Sequence, residues 1–191
     1  MGSSRAFERF PRFESVSLTS TIKDPTPEPP CVGRMRLARE IDSIAETQDN
    51  PRVLSIACGH LREAELSVAV REGRARMTAL DQDPESIARV ARDYASFNVT
   101  TIVGTVVDVL RRRLKVRDVA LAYAAGLYDY LDTELAAALT EALFRMLAPQ
   151  GPLLIANFTP DTRDAAFMEA CMDWHLIYRD ERQLVELTRR I

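Results

Sequence analysis

Arg52-Val53-Leu54-Ser55-Ile56-Ala57-Cys58-Gly59 decides how this chain is read. The run is apolar, too short for an ordinary helix and closed by a glycine, so it reads as a strand buried on both faces. Ahead of it Leu37, Ile41 and Ile44 mark one face of a helix. Behind it a helix is expected from about Arg62 to Arg71, and then Met77-Thr78-Ala79-Leu80 forms a second strand that ends in Asp81-Gln82-Asp83-Pro84. Ile87, Val90, Ala91 and Tyr94 recur at helical spacing, with Pro84 suited to the first turn. Val99 to Val103 is a third strand and Val119-Ala120-Leu121-Ala122-Tyr123 a fourth. The helix carrying Leu135, Leu139, Leu143 and Met146 runs to Pro149-Gln150-Gly151, and Leu153-Leu154-Ile155-Ala156-Asn157 is a fifth strand. Strands alternating with helices at this spacing predict a Rossmann-like, doubly wound α/β fold with a mainly parallel sheet of about five strands. A ligand would lie outside the carboxyl ends of those strands.

The 191 residues suffice for one domain, and 47% hydrophobic with 28% charged residues is a globular balance. Residues 31–191 are read as that domain, and 1–30 as an arm or linker ending in Asp24-Pro25-Thr26-Pro27-Glu28-Pro29-Pro30, where closely spaced prolines favour extended backbone. Phe7, Phe10 and Phe13 of the arm either pack on the body or cover a ligand, and Met1-Gly2-Ser3-Ser4 is set aside as a cloning remnant. No apolar run approaches bilayer length, no secretory signal is recognisable, and Cys31, Cys58 and Cys171 lack the spacing of a zinc site or disulfide framework. The expectation is a cytoplasmic protein without a membrane span or a bound metal. A net charge of −3 from intermixed signs, with Arg111-Arg112-Arg113 read as a solvated helix end or loop, gives no basic stripe for nucleic acid.

Glycine is scarce, 7 in all, so those following strands are informative: Gly59 after the first and Gly126 after the fourth. Asp81 stands 22 residues beyond Gly59 at the tip of the second strand, where a carboxylate can accept from both hydroxyls of a ribose. The same four residues could equally form a turn and a helix cap. There is no GxGxxG, which argues against a pyrophosphate. His60 and His175 are the two histidines and the available imidazole bases, although a surface or packing role suits His175 better.

The succession Val53 to Gly59, Ala79-Leu80-Asp81, Asp118 to Tyr123 and Leu147-Ala148-Pro149-Gln150-Gly151-Pro152-Leu153-Leu154 resembles the ordered motifs of class I S-adenosylmethionine-dependent methyltransferases, over about residues 50 to 160. Ala57-Cys58-Gly59 with Arg62-Glu63, Ala125-Gly126-Leu127-Tyr128-Asp129-Tyr130-Leu131, and Met172-Asp173-Trp174 through Leu176-Ile177-Tyr178-Arg179 resemble more narrowly a bacterial branch linked to 3-hydroxy fatty acid methyl ester formation. The resemblance implies S-adenosylmethionine as cofactor. Its methionine part would lie against Ala57, Cys58 and Gly59, its ribose on Asp81, and its adenine beside Gln82, Val107 and Asp108. Tyr123, Ala124 and Gly126 would pass under the sulfonium.

The family usually has an acidic residue at the position of Ser55 and glycines at those of Ala57 and Leu61, so recognition of the amino group must come from elsewhere. Glu63 is the candidate; otherwise it is a favourable charge at a helix amino terminus. Arg62 either pairs the cofactor carboxylate or faces solvent. Tyr123, Tyr128, Tyr130, Trp174 and Tyr178 are apt for a sulfonium, the last two on a final long helix, or else they are core. Tyr128, Tyr178 and Asn157 are the candidates nearest the chemistry, Asn157 holding a polar substrate group or capping a turn. The family's sixth and seventh strands have no counterpart after Arg179, where Asp180 to Ile191 reads as helix; the last helices or a homodimer would then cover the fifth strand. Three activities fit. They are methyl transfer to a small molecule, an intramolecular displacement giving azetidine-2-carboxylate and methylthioadenosine, and a non-catalytic cofactor-binding partner subunit.

Overall fold

The computed structural model describes residues 31–162 and 165–191. The expected arm over 1–30, with its three phenylalanines, lies outside the described residues.

β1 (Arg52–Ile56), β2 (Arg76–Asp81), β3 (Val99–Val103), β4 (Leu121–Ala125) and β5 (Leu153–Ala156) form one five-stranded sheet in the order β3-β2-β1-β4-β5. Every pairing is parallel. The chain winds outward from β1 to β3 and returns to β4 on the other side of β1. The order therefore reverses between β1 and β4, and the crevice of the fold opens beyond Ile56 and Ala125.

Side-chain alternation divides β1 between two cores. Leu54 and Ile56 join Ala122, Ala124, Leu139 and Leu143 on the face covered by α4 (Val106–Leu110) and α5 (Thr133–Phe144). Val53 joins Leu121, Tyr123, Ile41 and Val90 on the face covered by α1 (Cys31–Thr47), α2 (Val68–Arg71) and α3 (Pro84–Asp93). Burial on both faces explains why β1 reads as a nearly unbroken apolar run.

Three local expectations are corrected. The single helix expected from Arg62 to Arg71 is a 3-10 turn, Arg62–Glu65, followed by α2. Ser67 caps α2 by accepting from the Val70 amide at 3.2 Å and itself donates to Asp42 of α1 at 2.6 Å. Asp42 also accepts from the amides of Val68 and Ala69. The break is thus a capped helix start held by a carboxylate from another element.

The fourth strand begins two residues later than expected. Asp118 adopts a left-handed φ of 55°, Val119 makes only an isolated bridge to Leu147, and regular pairing with β1 starts at Leu121. This puts Tyr123 and Ala124 inside the sheet.

The last long helix also ends early. After α6 (Ala165–Met172), Asp173 turns left-handed with φ 49°, and 173–180 is irregular up to α7 (Glu181–Glu186), which Asp180 and Gln183 start with a reciprocal capping box. Trp174 and Tyr178 are therefore not helical. Ile177 N–H donates to Asp129 O at 2.7 Å and Arg179 N–H to Phe158 O at 3.0 Å, so long-range backbone partners replace helical ones. Arg111 caps α4 and Arg112 turns left-handed, so the triple arginine is a helix end as expected. No helix among the described residues is long and apolar enough to cross a membrane.

Candidate active site at the carboxyl ends of the strands

The loop leaving β1 repeats one backbone conformation at every second residue: φ is 52° at Ala57, 52° at Gly59 and 51° at Leu61. Left-handed backbone costs a side-chain-bearing residue roughly 1–2 kcal/mol. Ala57 and Leu61 adopt it all the same, so the geometry expected of glycines persists without them. Leu61 is fully buried, and burial of a leucine, about 1.5–3 kcal/mol, offsets the strain at its own position.

Asp81 fastens this loop from beneath. Its Oδ2 accepts from the Gly59 amide at 2.8 Å and its Oδ1 from the Asp83 amide at 3.0 Å, while Cys58 N–H donates to Leu80 O at 3.1 Å. The helix cap that Asp81-Gln82-Asp83-Pro84 could supply falls to Asp83, which accepts from the amides of Glu85 and Ser86 and leads into Pro84 at the helix start. Asp81 is left for the loop, and Gln82 is exposed at the strand tip. The Cys58 thiol is pushed up to about 12, first by burial and then by the negative charges of Asp81 and Glu63, so it stays protonated.

Glu63 lies buried at the start of the 3-10 turn, where Tyr123 donates its hydroxyl to Oε1 at 2.5 Å. Tyr123 is directly opposite Ser55 in the pairing of β4 with β1, and the Ser55 hydroxyl also hydrogen-bonds it. The carboxyl is thus delivered through Tyr123 to the neighbourhood of Ser55, eight positions after Ser55 in the chain. Burial raises the Glu63 carboxyl above its ordinary range, against the hydrogen bond from Tyr123 and the weaker pull of Arg34. Tyr123 itself is held protonated, chiefly by burial and then by Glu63. Arg62, next along the turn, is exposed.

The crevice is bounded on the β4 side by Gly126, whose φ of 97° belongs to glycine, and Ala124 faces the opposite core. At α4, Val107 is half-exposed while Asp108 is engaged. Asp108 closes a capping box with Thr105 and pairs Arg113 at 2.9 Å, interactions that hold its carboxyl down at about 2.

The five aromatic residues do not converge. Tyr128 is fully buried with its hydroxyl on Thr140 at 3.0 Å, in the α5 core. Trp174 donates to the Tyr130 hydroxyl at 2.7 Å and meets Phe158 edge-on, with ring centroids 6.1 Å apart. Tyr178 is half-buried, its hydroxyl shut off from solvent and its ionisation suppressed by burial and by Glu169. His60 and His175 are exposed, as the surface reading of His175 has it.

Asn157 belongs to a framework that the sequence did not disclose. Its amide donates to Phe158 O and Ile177 O, both at 2.9 Å, and its Oδ1 accepts from Arg179. Arg179 is buried and also donates to Tyr128 O at 2.7 Å and to Leu131 O. Asp129, likewise buried, accepts from the Phe158 amide at 2.7 Å. One guanidinium thereby ties the segment after α6 to the ends of β4 and β5. The only signal was a lone arginine closing an apolar stretch, Leu176-Ile177-Tyr178-Arg179.

Many solved structures are similar to this chain in fold. A TehB-like S-adenosylmethionine-dependent methyltransferase from Corynebacterium glutamicum superposes with a TM-score of 0.57 at 17% identity, over 83% of this chain and 71% of that one. The chain has the fold of S-adenosylmethionine-dependent methyltransferases. The cyclopropane synthase MmaA2 from Mycobacterium tuberculosis (TM-score 0.62, 15% identity) is matched over 88% of this chain and 62% of its own. For the geranyl diphosphate C-methyltransferase from Streptomyces coelicolor (TM-score 0.59, 12% identity) the shares are 83% and 56%. The chain thus spans between 56% and 71% of the length of these proteins. No protein-family model and no curated protein matches its sequence.

Proposed function

We propose that this chain is an S-adenosylmethionine-dependent methyltransferase acting on a small molecule, and that it falls in the bacterial branch whose motifs it resembles. The observation that carries the reading is the first loop: a glycine-like backbone at Ala57, Gly59 and Leu61, fastened by Asp81, with a buried carboxyl held by Tyr123, the residue that pairs with Ser55, where the family carries its acidic residue. These residues suit the cofactor's parts. Bare backbone at Gly59 and Gly126 gives room for the methionine and sulfonium portions, and Glu63 is an anionic partner for an ammonium. Asp81 retains lone pairs for ribose hydroxyls after its two amide bonds. Gln82 and Val107 border the adenine. Asp108, spent on its cap and on Arg113, adds negative charge near that edge rather than a free acceptor.

When bound, S-adenosylmethionine supplies an electrophilic methyl group on a cationic sulfur. The chain's own contribution is alignment and exclusion of water, which suffices for an in-line displacement. Asp81 and the first loop fix the direction of the nucleoside. The Arg179, Asn157 and Asp129 framework fixes the wall carrying Tyr130 and Trp174, on the side where an acceptor would approach.

Incubating the full chain with S-adenosylmethionine and a panel of small carboxylate, hydroxyl and amine acceptors, followed by mass spectrometry, tests this reading. Acceptors heavier by one methylene unit, with S-adenosylhomocysteine formed, support it. Methylthioadenosine formed without any acceptor would replace methyl transfer by intramolecular displacement.

A further inference from the structure

Tyr130, Phe158 and Trp174 come from three segments that the fold brings to one place. Tyr130 closes the 3-10 turn Tyr128–Tyr130 beyond β4, Phe158 follows the end of β5, and Trp174 follows α6. β4 and β5 are neighbours, so this group adjoins the crevice at the carboxyl ends of the strands. The Trp174 indole donates to the Tyr130 hydroxyl at 2.7 Å, and its ring meets Phe158 with centroids 6.1 Å apart and planes 77° apart. The Phe158 backbone is fixed from both sides: its amide donates to Asp129 at 2.7 Å, and its carbonyl accepts from the Arg179 amide at 3.0 Å and from Asn157 at 2.9 Å. The rings nevertheless stay open, Tyr130 being 55% and Phe158 39% exposed. Contiguous aromatic surface that is held firmly, left uncovered and set beside a crevice has the character of a binding wall.

Its geometry states what it would take. Two ring planes near a right angle make a corner, where a flat ring can stack on one and turn its edge to the other, contacts that a saturated ring of the same size does not gain. The Tyr130 oxygen accepts from Trp174, and among the described residues no other group bonds that hydroxyl, so its own O–H is left to donate. Accepting one hydrogen bond also polarises the O–H and makes it the better donor. Tyr128 and Tyr178 do not compete for the role, since the first spends its hydroxyl on Thr140 in the core and the hydroxyl of the second is shut off from solvent.

We infer that this corner is the acceptor subsite, and that the acceptor is an aromatic molecule carrying an oxygen that takes a hydrogen bond from Tyr130. The inference rests on the methyltransferase reading above. Trp174 and Phe158 select the ring, and Tyr130 selects and orients the oxygen.

Trp174 is the single tryptophan, so its fluorescence reports occupancy of the corner directly. The full chain, saturated with S-adenosylhomocysteine, is titrated with benzoate, with cyclohexanecarboxylate and with toluene. Benzoate is expected to change the Trp174 emission saturably and to bind at least about threefold more tightly than cyclohexanecarboxylate, which matches it in charge and size but lacks the aromatic ring. Tyr130→Phe is expected to weaken benzoate about fivefold and to leave toluene unchanged, whereas Phe158→Ala weakens both. A structural role for Tyr130 alone would move benzoate and toluene together, which overturns the assignment of its hydroxyl. Equal affinity for benzoate and cyclohexanecarboxylate, or no Trp174 response to either while S-adenosylhomocysteine binds, overturns the inference and leaves the cofactor site standing. Failure of S-adenosylhomocysteine to bind removes the site and the inference together.

Discussion

The Tyr123 hydroxyl reaches Glu63 Oε1 at 2.5 Å across the gap between β4 and the turn after β1, and both side chains are buried. Because burial raises the Glu63 carboxyl in the folded chain, the native state binds its proton more tightly than the unfolded state does. Stability from this group therefore falls as pH rises from the ordinary glutamate range toward the raised folded value. Glu63→Gln removes that loss, so the variant gains on the wild type with increasing pH in urea unfolding between pH 4.5 and 8. Asp129 is raised in the same direction and leaves the variant a residual slope. Parallel pH dependence of the two proteins would show that Glu63 does not titrate differently on folding.

Ala57 and Leu61 share a left-handed backbone but differ in what their side chains contribute. Ala57→Gly relieves strain of about 1–2 kcal/mol and concedes about 0.4–1 kcal/mol to the freer unfolded chain, for a net gain near 0.5–1 kcal/mol. Leu61→Gly relieves similar strain but empties a buried site, where truncation costs about 2–5 kcal/mol, and is expected to destabilise by about 2 kcal/mol. Chemical denaturation midpoints of the two variants check the opposite signs.

Asp108 is held at about 2 by Thr105 and Arg113, below the usual aspartate range. The stability it contributes is fully present above that ordinary range and is lost as pH falls through about 2. Asp108→Asn therefore shows a shallower acid loss below pH 4 than the wild type in thermal melts. An unchanged acid limb would separate the capping box from acid stability.

Arg179 donates to the carbonyls of Tyr128 and Leu131 and to Asn157, so truncation strands two buried acceptors and one part-buried one. Arg179→Met is expected to cost about 3 kcal/mol or more, since hydrogen bonds to a buried charge contribute about 1.5–3 kcal/mol each. Trp174, the single tryptophan, hydrogen-bonds Tyr130 on the wall that Arg179 positions, so its fluorescence reports the change locally. Arg179→Lys restores part of both signals. A Trp174 spectrum unaltered in Arg179→Met would detach the aromatic pair from the framework.

Most of the sheet was legible in the sequence because β1, β2, β4 and β5 are largely buried on both faces and announce themselves as short apolar runs, as at Val53 to Ile56. Periodicity does not register a carboxylate arriving from another element, which is why Asp42 divides an apparently continuous helix. Nor does it register a partner 48 residues away, such as Leu131 for Arg179, which draws 173–180 out of helical form. Residue type suggested an acidic role for Glu63. Only the pairing of Ser55 with Tyr123 supplies the route by which that carboxyl reaches the vicinity of Ser55. The aromatic residues looked like one set in sequence, yet strand alternation sends Tyr123 into one core while Tyr128 sits in the other.

The affinity of S-adenosylhomocysteine for the wild type and for Asp81→Ala tests most directly the proposed cofactor site on Asp81 and the first loop. Saturable one-to-one binding is predicted for the wild type, weakened at least about fivefold in Asp81→Ala, the equivalent of about 1 kcal/mol for a lost charged partner. No binding to the wild type, or an equal dissociation constant for both proteins while each remains folded by circular dichroism, would contradict it.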